Sequence, residues 1–395
     1  MLTIGIDVGF GFTKATNGRE YVIFKSIIGN PSDIQFQSTF GDNTFSKNLH
    51  VTIDNQSYFI GSLAEQQSTY QKYTLSQDKM VSEFIKILSL VAAGICFEEG
   101  SPLNIISGLP IDYLKKDYKK VSQQLIGHHK ITYHWSDNSA FTRKMYINKI
   151  QMIPQPMGSF FNLLMNDTGK IIDSDLHHKK VGILDIGFRT TDAIIVNRLK
   201  YLEKGSISID MGISNAFTLI ASQLRKDHGI NIELFRLHDA VRKNVIKIRG
   251  KEFNISGIID NAYDLISKYI ADTINRLWDN EWDIDTIILT GGGSIALEKH
   301  LKSHIIGNVI ISIVNSIDPR LNNVQGYLKY GIYKWNNSAS DNQPDADNKA
   351  LPANTADFSD NQMTTKEQGF FVSEKIPNEA EDSVDKAKER KLHKA

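Results

Sequence analysis

The amino-acid sequence predicts an α/β fold of two duplicated domains around a cleft, and three observations point to it. Apolar strands alternate with helices from Leu2 to about Trp335. One strand-and-turn motif occurs twice, 178 residues apart counted from Asp7 to Asp185. A late apolar strand runs into three consecutive glycines, Gly291-Gly292-Gly293.

In the first cycle, residues 2–8 read as a buried strand, and 13–17 and 20–24 extend it into a meander. Short apolar runs at 51–53 and 57–60 flank Asp54-Asn55-Gln56 and read as a hairpin. Helical apolar spacing covers 79–97. A strand over 103–108 passes through Leu109-Pro110 into a helix over 113–124. Paired strands are expected at 131–135 and 144–152, and a helix over 155–164.

The second cycle repeats the order. Strands are expected at 180–186, 191–196 and 201–209, followed by helices at 213–228 and 258–278. A strand at 286–290 leads through the glycines to a helix at 296–304, a short strand at 309–313 and a closing helix at 324–333. Residues 336–395 are rich in Asn, Asp, Ser, Ala, Gln and Lys. They bury too little apolar surface to offset their ordering entropy and read as a disordered tail. Phe370-Phe371-Val372 within it is either a docking motif or a chance cluster in a linker.

Composition narrows the function classes. The chain has 45 basic and 45 acidic residues, so it carries no global basic field for nucleic acid. Its single cysteine, Cys96, excludes an internal disulfide and a Cys-rich metal or iron–sulfur site. Cys96 sits in an apolar run and reads as a small buried hydrophobe rather than a reactive thiol. No stretch reaches the ~20 apolar residues of a membrane helix. Residues 1–5 show no basic leader, so a cytoplasmic location with no membrane partner is expected.

The repeated motif carries the chemistry. Its first copy is Ile4-Gly5-Ile6-Asp7-Val8-Gly9-Phe10-Gly11-Phe12-Thr13-Lys14. Its second is Val181-Gly182-Ile183-Leu184-Asp185-Ile186-Gly187-Phe188-Arg189-Thr190-Thr191-Asp192. Glycine in a tight turn lets backbone N–H groups approach phosphate oxygens, and Thr hydroxyls such as those of Thr13 and Thr190 add donors. An acidic residue at each strand end suits Mg²⁺, which keeps several waters and takes few carboxylates. Two such turns facing each other would grip a triphosphate, with Asp7 and Asp185 flanking the metal through water. Lys14 would pair with a phosphate or stand as a solvated strand residue; Arg189 would join the site or remain a surface charge. At Gly291-Gly292-Gly293 the backbone can approach a ligand closely, and the helix that follows favours anions. Neither a Gly-Lys-Ser/Thr phosphate loop nor a dinucleotide fingerprint is present there.

These residues resemble the actin/DnaK-type chaperone/sugar-kinase ATPase superfamily, whose domains are ribonuclease H-like. The resemblance covers about residues 1–335, in the order first phosphate hairpin, connecting helix, second phosphate hairpin, adenosine loop. It is closest to the ParM-like plasmid-partition actins and archaeal actin-like ATPases. Gly108-Leu109-Pro110, Pro154-Gln155-Pro156-Met157-Gly158, residues 185–192 and Asn323-Val324-Gln325-Gly326-Tyr327 carry that narrower match.

The resemblance implies a first domain of residues 1–154 completed by a closing helix at 321–335, and a second domain of residues 155–320. It implies ATP and Mg²⁺ as cofactors, with Asp7, Asp185 and Gln155 as catalytic residues. Gln155 stands where the family orients the attacking water, and otherwise reads as a polar helix cap. Nucleotide contacts are implied for Gly9, Phe10, Gly11, Phe12, Thr13, Lys14, Gly187, Phe188, Arg189, Thr190, Gly212 and Gly291–293. Gly158 and Gly326 are expected at the crossing of the two connecting helices. Residues 237–247 show no motif for adenine.

Three function classes follow. The first is a filament whose ATP cycle drives assembly, acting in plasmid partition through an adaptor protein bound to centromere-like DNA. A small-molecule kinase or a non-polymerising regulatory ATPase of the same fold is the alternative. The sequence has no obvious insertion for a kinase pocket, no substrate domain of chaperone type and no apolar C-terminal membrane helix.

Overall fold

A computed structural model describes residues 1–31, 49–73, 81–135, 139–311 and 318–340. The expected tail from residue 341 onward, including Phe370-Phe371-Val372, lies outside the described residues, as do the end of the predicted 309–313 strand and the start of the 79–97 helix.

The first half contains β1 (Leu2–Val8), β2 (Phe12–Thr16), β3 (Tyr21–Lys25), β4 (Ile27–Gly29), β5 (Leu49–Ile53), β6 (Gln56–Ile60), α1 (Ser62–Gln67), β7 (Gln71–Tyr73), α2 (Val81–Ile95), β8 (Leu103–Leu109), α3 (Ile111–Leu125), β9 (Gly127–His134) and β10 (Ala140–Pro154). Among the described residues its ten strands form one mixed sheet in the order β3-β2-β1-β8-β10-β9-β5-β6-β4-β7. β1, β8 and β10 run parallel, and β8 is buried along its whole length. A strand covered on both faces needs the near-continuous apolar run that 103–109 supplies. The turn between β5 and β6 is Asp54-Asn55, both at positive φ (51° and 63°), as a type I′ two-residue hairpin requires.

The second half contains α4 (Met157–Leu164), α5 (Ser174–His178), β11 (Lys180–Ile186), β12 (Thr191–Asn197), β13 (Lys200–Ile209), α6 (Ile213–His228), α7 (Leu237–Lys243), β14 (Val245–Ile248), β15 (Lys251–Asn254), α8 (Ser256–Leu277), β16 (Thr286–Thr290), α9 (Ser294–His304), β17 (Val309–Ile311) and α10 (Asn322–Ser340). Five strands form a sheet in the order β13-β12-β11-β16-β17, and β14-β15 is a separate hairpin. The duplication is visible in pairing. β1 lies antiparallel to β2 and parallel to β8; β11 lies antiparallel to β12 and parallel to β16.

Every predicted element is found where the described residues cover it, with ends shifted by a few residues. α10 runs on past Trp335 to Ser340, and Asn336 is already exposed. The predicted start of α4 moves from Gln155 to Met157, because Pro154 ends β10 and Gln155-Pro156 make a turn. β4, α1, β7, α5, α7 and the β14–β15 hairpin were not expected; all are short. Cys96 is buried and forms no disulfide, and burial pushes its thiol pKa up. Among the described residues no helix is long and apolar enough to cross a membrane.

The two halves share a core around α4 and α10. Phe160, Phe161 and Leu164 of α4 pack with Tyr327 and Tyr330 of α10, and Phe161 stacks on Tyr330 at 4.3 Å between ring centres. Gly158 and Gly326 sit at this crossing.

Candidate functional site

The two copies of the motif make the same turn. In the first, the Gly9 N–H donates to the Phe12 carbonyl at 3.1 Å; in the second, the Gly187 N–H donates to the Thr190 carbonyl at 2.8 Å. Each turn joins antiparallel strands whose register sets an acidic residue against the returning strand. Asp7 lies opposite Lys14, and Asp185 opposite Asp192.

Both turns open on one cleft of about 210 Å³. Asp7, Gly9, Phe10, Gly11, Phe12 and Lys14 line it from the first turn. Asp185, Gly187, Phe188 and Thr190 line it from the second, with Gly291, Gly292 and Gly293 from the β16–α9 loop and Gln155 from the start of the first connecting segment. The turns also touch. A Cβ added at Gly11 would lie 3.0 Å from the Cβ of Phe188.

Three predicted residues do not line the cleft. The Thr13 hydroxyl is buried against Ser26 Oγ at 2.9 Å, inside the β2–β3 meander. Gly212 lies behind the second turn, where a Cβ would meet the Phe188 carbonyl at 2.6 Å. Its smallness lets the first turn of α6 donate to that hairpin, from Ile213 N to Gly187 O at 3.2 Å and from Ser214 N to Phe188 O at 2.8 Å. Arg189 bridges the rim. Its Nε donates to Asp210 Oδ1 at 3.1 Å, and its guanidinium lies 5.4 Å from the Phe10 ring centre.

The carboxylates are buried and individually held. Asp7 is 1% exposed, and it accepts from Lys14 Nζ on Oδ2 at 2.7 Å and from Gln155 Nε2 on Oδ1 at 2.8 Å. Asp185 accepts from Asn323 Nδ2 on Oδ2 at 2.6 Å. Gly291 has φ of 86° and stands against the other oxygen, where a Cβ would lie 2.2 Å from Oδ1. Only glycine meets both conditions. Burial pushes the Asp185 carboxyl up to about 6; the Asn323 hydrogen bond opposes the rise and Asp7 adds to it. Burial likewise pushes Asp192 up to about 7, against hydrogen bonds from Ser208 and from the Ile111 N–H at 3.2 Å.

Sequence reasoning missed His238, Arg320 and Asn323. His238 on α7 lines the cleft with its ring 5.7 Å from Phe188, 5.6 Å from Phe12 and 5.0 Å from Phe217. Burial lowers its pKa to about 4, with help from Lys25 and Arg320, so the ring is neutral near pH 7. A lone histidine in a short polar helix gives no sequence signal. Arg320 lines the cleft from the turn before α10, ion-paired to Asp318, with its guanidinium 5.4 Å from the Phe12 ring centre. Asn323 stood in a segment already singled out, but nothing in the chain's order pairs it with Asp185.

The arrangement presents glycine-rich backbone, one lysine, one arginine and three carboxyl groups, those of Asp7, Asp185 and Asp192, to a single small volume. That set suits a polyphosphate accompanied by a divalent cation.

Comparison with known proteins bears on the fold. The N-terminal domain of actin-like proteins matches residues 5–158, and the C-terminal domain of archaeal MreB-like actin homologues matches residues 183–303. A 15-stranded ParM filament from Clostridium botulinum has a similar structure, with a TM-score of 0.69 and 24% identity over 83% of this chain and 98% of that one. The archaeal actin homologue Ta0583 in complex with ADP gives 0.67 and 18% identity over 87% and 100%. The apo ParM protein of pSK41 gives 0.62 and 21% over 85% and 98%. No curated protein matches in sequence. With the two actin-family domains matched in succession and the duplicated turns facing one cleft, the chain belongs to the actin-like proteins and has their two-domain α/β fold.

Proposed function

We propose that this chain binds Mg-ATP between its two turns, hydrolyses it, and polymerises into filaments that segregate plasmid or other DNA. The observation that carries the reading is the pair of matching turns, each ending a strand at a buried aspartate on the same cleft. Residues 1–154 with 321–335 would form one domain, 155–320 the other, and 336–395 a tail, in a cytoplasmic protein.

The residues fit a magnesium nucleotide. Among the described residues no group of three or more His, Cys, Asp or Glu is placed to cage a metal. Two carboxylates with room for water and phosphate suit Mg²⁺, which dehydrates reluctantly. When bound, the ion would neutralise charge on the polyphosphate. Asp7 and Asp185 would hold it through water. Backbone N–H groups at the tips of the two turns and at Gly291 and Gly292 would face the nucleotide, the Gly293 N–H being held by the Ile186 carbonyl at 2.8 Å, and Lys14 would add a point charge. Gln155 would orient the attacking water by donating and accepting, since an amide is no strong base and phosphoryl transfer relies on positioning.

Assembly follows from the relatives rather than from any surface of this chain. Head-to-tail contacts propagate without closing. An adaptor bound to centromere-like DNA would couple the filament to its cargo.

Light scattering and pelleting with ATP, ADP and no nucleotide test the reading. The expected outcome is polymer that forms with ATP and disassembles as phosphate is released. Equal pelleting under all three conditions removes the filament, and hydrolysis that appears only with an added sugar or acid supports the kinase alternative.

A further inference from the structure

The two connecting segments each place one side-chain amide on one cleft carboxylate. Gln155, just ahead of α4, donates to Asp7 at 2.8 Å. Asn323, in the first turn of α10, donates to Asp185 at 2.6 Å. The second contact differs in its surroundings. Asn323 is 5% exposed, and its Oδ1 accepts from both the backbone N–H of Ser159 at 3.1 Å and the Ser159 hydroxyl at 2.7 Å. A backbone N–H can only donate, so the amide oxygen must face Ser159 and the NH₂ must face Asp185. The orientation is therefore set by covalent chemistry on α4, in the helix that meets α10 at the glycine crossing.

The chain of contacts continues. Ser159 Oγ lies 2.5 Å from Thr290 Oγ1, the last residue of β16 before the three glycines. All of these groups are buried. Asn323 thus joins α4, α10, the Asp185 strand and the end of the glycine-loop strand. Among the described residues no other side chain donates to Asp185.

We propose that Asn323 is a positioning residue for hydrolysis: it aims Asp185 into the cleft and makes that aim depend on how α4 crosses α10. The inference rests on the nucleotide reading of the cleft. A shift of the helix crossing would move the Asn323 oxygen with Ser159 and draw its NH₂ away from Asp185. The carboxylate would then lose the one side-chain donor it has among the described residues. Closure of the two halves and the placement of one cleft carboxylate become a single event.

The test compares Asn323→Ala, Asn323→Asp and Ser159→Ala with the full-length chain. Three quantities are read: hydrolysis rate at saturating ATP, affinity for a fluorescent ADP analogue, and the melting midpoint without nucleotide. Asn323→Ala is expected to slow hydrolysis by ~10–100-fold, the usual effect of losing a partner that orients a ligand-bearing carboxylate. ADP affinity should stay within ~3-fold, because the loss falls on the transition state rather than on ground-state binding. Ser159→Ala keeps the backbone donor, so its loss should be the smaller. If Asn323→Ala fails to fold, the isosteric Asn323→Asp, which keeps the acceptor toward Ser159 and sets a second carboxyl against Asp185 in place of the amide donor, is read in its place and should lose hydrolysis at least as strongly.

Hydrolysis within twofold of the parent chain, or a loss matched by ADP affinity and by Ser159→Ala, overturns the proposal and leaves Asn323 as packing. A parent chain that binds ADP but hydrolyses nothing instead sinks the functional reading, and the positioning role goes with it.

Discussion

Gly326 and Gly158 meet backbone to backbone: a Cβ on Gly326 would lie 1.7 Å from the Gly158 carbonyl oxygen. A Cβ on Gly158 would in turn lie 2.5 Å from the Asn323 carbonyl oxygen. Alanine fits at neither place unless the helices part. Gly326→Ala should therefore destabilise the chain by ~1–3 kcal/mol or more, the cost of overpacking. That loss stands against the ~1 kcal/mol that alanine otherwise gains over glycine inside a helix. Urea melts would measure it, and a midpoint equal to or above the parent's would show a crossing loose enough to accept a methyl group.

Asp7 is held on both oxygens, by Lys14 on one and Gln155 on the other. The two supports should separate in kinetics. Gln155→Ala is expected to slow phosphate release by ~10–100-fold with nucleotide affinity nearly kept. Lys14→Ala removes a charge that faces the cleft and should weaken nucleotide binding by ~10-fold or more. Fluorescence titration beside a phosphate-release assay distinguishes them. Matching losses in both variants would mean that Asp7 responds as a unit.

Asp192 makes stability pH-dependent in a definite direction. Its folded pKa is raised to about 7 from the ordinary 3.8, chiefly by burial. The folded chain therefore binds a proton more tightly than the unfolded chain. The stability linked to that proton is complete below the unfolded pKa and is lost as pH rises through the folded one. Asp192→Asn keeps an acceptor for the Ile111 N–H and removes the buried charge. Without nucleotide, its melting midpoint should exceed the parent's at pH 8 and match it near pH 5. A constant offset across that range would contradict the assignment.

His238 works in the opposite sense. Its pKa is lowered to about 4 from 6.5, with burial the largest cause. Stability linked to the neutral ring is present above the unfolded pKa and is lost as pH falls toward the folded one. His238→Phe preserves a ring among Phe12, Phe188 and Phe217 and removes the titration. The variant should gain on the parent at pH 5 and change little at pH 8, as thermal melts in matched buffers would report.

Much of this molecule was legible because its chemistry is local in sequence. Residues 4–14 and 181–192 each carry strand, turn glycine and acidic residue within a dozen positions, so the turns and the cleft they share could be read directly. Asp54-Asn55 likewise announced its own hairpin. What escaped depends on contacts across long separations. Asn323 meets Asp185 across 138 residues; Gln155 and Asp7 were both singled out, but not the hydrogen bond that joins them across 148. The short elements β4, β7 and α1 take their form from neighbours in the sheet rather than from their own periodicity. Thr13 looked like a phosphate donor by position, yet strand alternation turns its hydroxyl inward to Ser26.

The contact of Phe188 with Gly11 bears on how fast ligand exchanges. A Cβ at Gly11 would already crowd Phe188 at 3.0 Å, so the two turns leave little slack between them. Exchange that waits on the halves parting would have a ceiling. Loading rates followed by stopped flow should climb with nucleotide concentration and then level off at the opening rate. A smaller side chain at position 188 should raise the plateau while the initial slope changes less.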